Sequence, residues 1–275
     1  MNNSSAGTTL NRVIIADNVN AITNTHGTVS LYDVEIKAGA GAALNNIEND
    51  DKLYINNSKV LSSITSSETG NVRTLDTNTI ARVENAGNFE LNGKDTITDS
   101  FQNTGTLSMT NETNVNNLDN SGTVTTAGKT DITTITNSGN ISTQNTNTIG
   151  ALTNTGTFST KDTNTITTLT NSGTVTLGGT LDKITTLTNS KINSADEAII
   201  TTNGTSEITT ATNSNILHLY GNDKVATLTN TGAVETSNTT QFIGTVTNDD
   251  SSAIINTSGT TSFNNIINKG TITLD

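Results

Sequence analysis

The sequence predicts an all-β chain wound as a right-handed three-sided parallel β-helix, a solenoid of about 17–18 residues per coil. Three observations carry that expectation: a phrase such as "LTNSGTVTL" recurs at near-constant spacing, apolar residues recur at fixed offsets from its Asn, and the composition is unusually polar. Of 275 residues, 31% are hydrophobic, 3% are aromatic and 14% are charged, with no Cys, Pro or Trp. That is too little apolar material for one large globular core and too little charge for a disordered polyampholyte. Stacked coils that each add a few small apolar residues to a thin continuous core satisfy both limits.

The repeat is anchored on Asn85, Asn103, Asn120, Asn137, Asn154, Asn171, Asn189, Asn213, Asn230, Asn248 and Asn268, at spacings of 18, 17, 17, 17, 17, 18, 24, 17, 18 and 20 residues. Two places before each anchor the residue is apolar, as in Leu152, Leu169, Leu187 and Leu228. Five places before stands a second apolar row that includes Ile149, Ile166, Ile184 and Val225. Residues three apart on a straight strand face opposite ways, so the chain must bend between these rows if both point inward. A third row follows four places after the anchor, as in Phe158, Val175 and Val234. Gly stands two places after most anchors, replaced by Asn215, Asp250 and Lys191 in three coils, and this suggests a second corner in the left-handed conformation. "AGK", "QNT", "KDT" and "GGT" mark a third.

Three short strands and three bends per coil, rising about 4.8 Å each, give about fifteen coils and a rod on the order of 70 Å. Residues 1–84 keep the flavour of the repeat and lose its period, so they read as irregular coils or a cap, and residues 85–275 as the regular helix. The anchor Asn shares a face with the apolar residue two before it. Its amide should therefore point inward and bond from coil to coil, as a structural ladder.

Little in the sequence suggests catalysis. His26 and His218 share no context, and Asp50–Asp51 and Asp249–Asp250 read as solvated turn pairs. No metal-ligand series, phosphate loop or nucleophile constellation is apparent, so neither a cofactor nor a metal is expected and the chain is not expected to be an enzyme. The largest irregularity in the regular part, Ser190 to Ile208, offers Lys191, Asp196, Glu197 and Glu207, thin material for a saccharide cleft. A formal charge of −12 argues against nucleic acid and anionic membrane as partners. No apolar stretch is long enough for a membrane-spanning helix, and "MNNSSAGTTLNRVII" does not read as an export signal.

The outward positions are more informative. Thr flanks the apolar residue before the anchor at Thr134 and Thr136, Thr168 and Thr170, Thr186 and Thr188, Thr210 and Thr212, Thr227 and Thr229, and Thr245 and Thr247, with Ala151 the one interruption. Two parallel Thr files on one face are expected, distorted where Ser190 to Ile208 intervenes.

The phrases "LTNTGTFST", "LTNSGTVTL" and "LTNTGAVET" resemble the β-helical passenger repeats of Gram-negative autotransporter adhesins and, more loosely, filamentous haemagglutinin. The resemblance covers residues 85–275 and is thinner before them. It implies export through a translocator barrel outside these residues and display at the cell surface. It also implies adhesion or self-association, as in aggregation and biofilm, through polar files on the rod, with self or a host or bacterial surface ligand as partner. Alternatives are a polysaccharide-active β-helix, an ice-binding solenoid, whose Thr-x-Thr ladders are similar, and a passive spacer stalk.

Overall fold

A strand that alternates inward and outward residues can stack on its own repeat only in parallel and in register, and this is how the coils are built. The computed structural model describes residues 1–4, 7–15, 20–37, 46–193, 196–237 and 241–275. Among them every element is a strand, so none is a helix long and apolar enough to cross a membrane. The architecture is a three-sided parallel β-solenoid of about fourteen coils with about 18 residues each.

Each regular coil has one long and one short strand. In the coil anchored by Asn171 these are Thr163–Asn171 and Thr174–Leu177. Asn164 and Ile166 point inward, alternation fails at Thr167 and Thr168, and it resumes at Leu169 and Asn171. The register skips Thr167: Ile166 pairs with Ile149 and Ile184, and Thr168 with Ala151 and Thr186. The skipped residue is the expected bend between the two apolar rows. It makes two sides out of the long strand, and the short strand is the third. In the strand Lys94–Asn103 two residues are skipped, between Ile97 and Ser100, so Ile97 stands six places before its anchor Asn103 where the other coils have five.

The described residues form two compact units, 1–134 and 135–275. In the first, the long strands Lys59–Ser66, Thr77–Asn85, Lys94–Asn103 and Thr113–Asn120 pair in sequence order. Its earlier coils use shorter strands, such as Asn20–Asn24 against Asn46–Asn49, and residues 38–45 of that irregular segment lie outside the described residues. Phe89 and Phe101 fill its core edge to face, with centroids 5.1 Å apart. In the second unit, pairing runs unbroken from Thr146–Asn154 to Thr261–Asn268.

Core rows predicted from the sequence are buried: Ile149, Ile166, Leu169, Leu187 and Val225 are at most 1% exposed. Two gaps in the third row are filled by Ile200 and Ile255, which reach the same side after longer connections. The last coil departs from the pattern. Ile266 is 43% exposed, and Phe263 and Ile272 are half-buried, because this coil has a described neighbour on one side only.

The corner after the anchor corrects the sequence reading. None of Gly87, Gly105, Gly122, Gly156, Gly173 and Gly232 has positive φ, and neither do Asn215 and Asp250. Left-handed residues lie instead at the third corner, at Asp76, Asn145 and Asp162. Gly is required after the anchor for close approach: a Cβ on Gly156 would run into the carbonyl oxygen of Gly139, and one on Gly173 into that of Gly156. Ala198 and Ala253 occupy this column only after connections lengthened by several residues have re-aimed the chain. Gly156→Ala is therefore expected to lower stability by about 1–3 kcal/mol through overpacking. A fall in the thermal unfolding midpoint by circular dichroism would show it, and an unchanged midpoint would refute the close-approach account.

Candidate functional site

The interior is organised by amides. In the second unit Asn137 Nδ2 donates to Asn154 Oδ1 at 2.7 Å, Asn154 to Asn171 at 2.9 Å, and Asn171 to Asn189 at 2.9 Å. The series continues through Asn213, Asn230 and Asn248 to Asn268. Each amide also ties the corner: Asn171 Nδ2 donates to the carbonyls of Gly173 at 2.9 Å and Ile199 at 3.1 Å. In the first unit Asn85 donates to Asn103 and Asn103 to Asn120, both at 2.8 Å. The ladder reaches into the irregular segment, where Asn3 donates to Asn24 and Asn24 to Asn49. Ser66 takes the place of the amide in the next coil, and there the Ser66 hydroxyl and Asn85 Oδ1 are both buried without partners.

A second buried polar file went unread in the sequence. Asn147, Asn164, Asp182, Ser206 and Asp223 in the second unit, and Asn78, Asp95 and Thr113 in the first, all point inward near the third corner. Its signal was available, because a residue two before the apolar position five places ahead of the anchor shares that position's face. Three members are carboxylates held in one constellation. Asp95 accepts from Thr74 Oγ1 at 2.6 Å, Asn78 Nδ2 at 2.9 Å and the Gly93 amide at 3.1 Å. Asp182 accepts in the same way from Thr160 at 2.8 Å, Asn164 at 2.8 Å and Gly179 at 3.0 Å. Asp223 accepts from Thr202 at 2.5 Å and Gly221 at 3.1 Å. Ser206 replaces the amide donor there. Its hydroxyl lies close enough to favour the charged form without reaching bonding geometry, so Asp223 Oδ1 stays without a donor.

Burial raises all three carboxyls above the usual range, against the pull of these donors. Asp223 is pushed furthest, up to about 6 from an ordinary 3.8, by burial above all.

The Thr files form on the side made by the second half of the long strand. Thr168, Thr186, Thr210, Thr227 and Thr245 pair in one column, and Thr170, Thr188, Thr212, Thr229 and Thr247 in the next. Ala151 interrupts the first column, and Thr153 extends the second. Thr134 and Thr136 face outward on Thr130–Asn137. The expected distortion near Ser190 to Ile208 is absent, because Thr186 pairs with Thr210 and Thr188 with Thr212 in regular register. The added residues leave at the corner after Asn189 and return at Ala198, with residues 194–195 outside the described set.

Other singled-out residues do not converge. His26 is exposed and bonds through its backbone, while His218 stands on the short strand Ile216–Leu219. Asp51 caps the Gly27 amide at 2.7 Å, Asp249 pairs with Lys269, and Asp250 caps Ser252, as turn residues do. Glu207 pairs with Lys183 at 3.8 Å. Asp196 and Glu197 line a shallow groove with Thr157 and Thr174, and among the described residues no basic or imidazole group lines it. Among the described residues no three His, Cys, Asp or Glu side chains could together hold a metal ion. No family model matches the chain, and no curated protein or solved structure was found to be similar to it.

Two measurements check this interior. Ser66→Asn should restore the missing rung between Asn49 and Asn85 and raise stability by about 1–2 kcal/mol. An unfolding midpoint that drops would show that the site cannot take the amide. The buried carboxyls set the pH response. Folded Asp223 holds its proton to about 6 and unfolded Asp to 3.8, so the folded chain binds more protons between these values. This group's contribution to stability is therefore greatest below 3.8 and is lost as pH rises through 6, by about 3 kcal/mol. Asp223→Asn places an amide donor where Oδ1 lacks one, beside Ser206. It should raise the midpoint at pH 7.5 and flatten the profile, whereas parallel profiles in parent and variant would disprove the assignment.

Proposed function

We propose that this chain is a surface-displayed bacterial solenoid of the adhesin type, which self-associates or binds a surface ligand through its Thr face and carries out no catalysis. The observation that carries the reading is the pair of Thr columns in unbroken register from Thr168 and Thr170 to Thr245 and Thr247. Each hydroxyl both donates and accepts, so a regular file of them is complementary to another copy of itself. The columns contain no charged residue, and on a chain of net charge −12 such a face is where two copies repel least. Single contacts are weak, and many in register add through effective concentration. Export and display at the cell surface rest on the likeness of the repeat phrases to autotransporter passengers. The same register favours a second reading, ice binding, because the irregular segment leaves the Thr columns intact.

Sedimentation velocity over a wide concentration range separates these readings. The parent is expected to associate as concentration rises, and a variant with Thr186→Lys, Thr188→Lys, Thr210→Lys and Thr212→Lys to stay monomeric. A parent that stays monomeric while showing thermal hysteresis in freezing water would replace adhesion with ice binding. Association equal in both proteins would remove the Thr face from either role.

A further inference from the structure

On the short-strand side of the second unit Ser and Thr hold many outward positions, Ile199, Ile216 and Ile254 stand among them, and one cluster brings two rings together. His218, on Ile216–Leu219, and Tyr220, just beyond it, stack their rings nearly parallel, 4.9 Å between centroids and 6° between planes. Tyr220 Oη donates to Glu235 Oε2 at 2.9 Å, and His218 Nε2 lies 3.5 Å from the same oxygen. Thr201 Oγ1 holds the other ring nitrogen at 3.4 Å. The carboxylate and both rings are thus fixed against one another by contacts from three successive short strands.

Tyr220, Glu235, Asn256, Ser258 and Asp275 are among the residues that line a shallow groove of about 290 Å³. Glu235 and Asn256 are direct cross-strand partners. Among the described residues no Lys or Arg lines the groove, while Glu235 and Asp275 do, which disfavours phosphate, sulfate and uronate.

We propose that this groove is a binding subsite for a neutral saccharide. The aromatic wall suits the apolar face of a sugar ring, and polar handles at its edge fix orientation. A carboxylate has about four lone-pair sites, so Glu235 still accepts from sugar hydroxyls after its Tyr220 bond. The Asn256 amide beside it both donates and accepts, so a vicinal diol can bridge the pair, one hydroxyl on each. The subsite lies on a different side of the coil from the Thr columns and stands whether or not those self-associate.

The test is saturation-transfer NMR and titration calorimetry on the full chain, with glucose, galactose, mannose and N-acetylglucosamine as probes. Glucuronate and tetramethylammonium serve as charged controls. At least one neutral sugar is expected to bind with Kd of about a millimolar, as a single shallow subsite allows. Tyr220→Ala, Glu235→Gln and Asn256→Ala should each weaken it about tenfold or more. Glu235 and Asn256 are surface residues, so their variants keep the test valid even if the Tyr220 change disturbs the corner. Binding by none of the four sugars, binding confined to tetramethylammonium, or sugar binding unchanged in Glu235→Gln and Asn256→Ala would overturn the proposal.

Discussion

The structure depends on one requirement, that an amide taken out of water must find partners. The anchor Asn residues meet it by donating to the Asn of the following coil, to a carbonyl at their own corner and to one in the following coil, as Asn154 does to Asn171, Gly156 and Thr174. Because those partners lie in two coils, the bond fixes how one coil sits on the next. A slip of one residue would turn every amide to solvent and every Thr inward. The apolar rows alone would tolerate small shifts, since Ile, Leu and Val differ little in what they accept as neighbours.

The same requirement explains where the interior is weakest. Ser66 reaches neither neighbour in the ladder, and Asn85 is left with a buried oxygen and no donor. Asp95, Asp182 and Asp223 occupy places held elsewhere by Asn, and a carboxylate can accept from the preceding coil without donating onward. Burial raises all three carboxyls, and their donors work against it. Asp95 and Asp182 retain an Asn donor that Asp223 lacks, and Asp223 has the most strongly raised pKa.

Periodicity made the coil legible. The rows five and two before the anchor required a bend, and the bend appears as the residue skipped at Ala81 and Thr167. Residue type was a poorer guide to backbone conformation. Gly after the anchor looked like a positive-φ residue, but the cause is the carbonyl of the coil beneath, a contact between residues 17 or 18 apart that local pattern does not display. The second polar file was hidden for a related reason. Its members vary among Asn, Asp, Ser and Thr, and only the strand's parity unites them. The Thr columns were visible, yet their continuity past Ser190 was not, because an insertion at a corner and one within a strand look alike in sequence.

In a solenoid whose interior is fixed by parity and amide bonding, outward residues carry little folding constraint, so what they repeat and where they depart both bear on function. Thr in the two columns is a good strand residue and would recur for that reason alone. Strand propensity does not account for the absence of charge from both columns, since the neighbouring outward positions Lys183, Glu207 and Lys224 are charged. The cluster at His218, Tyr220 and Glu235 is the reverse case. It puts His218 and Glu235 in the column held by Ser159, Thr176 and Thr201 in earlier short strands, and joins them by mutual contacts to Tyr220 just beyond the strand. Neither ring is needed for the core, whose side of that strand is filled by Leu217 and Leu219. A repeated uncharged face suits many weak contacts with a like surface, and a single stacked pair beside a groove suits one small ligand.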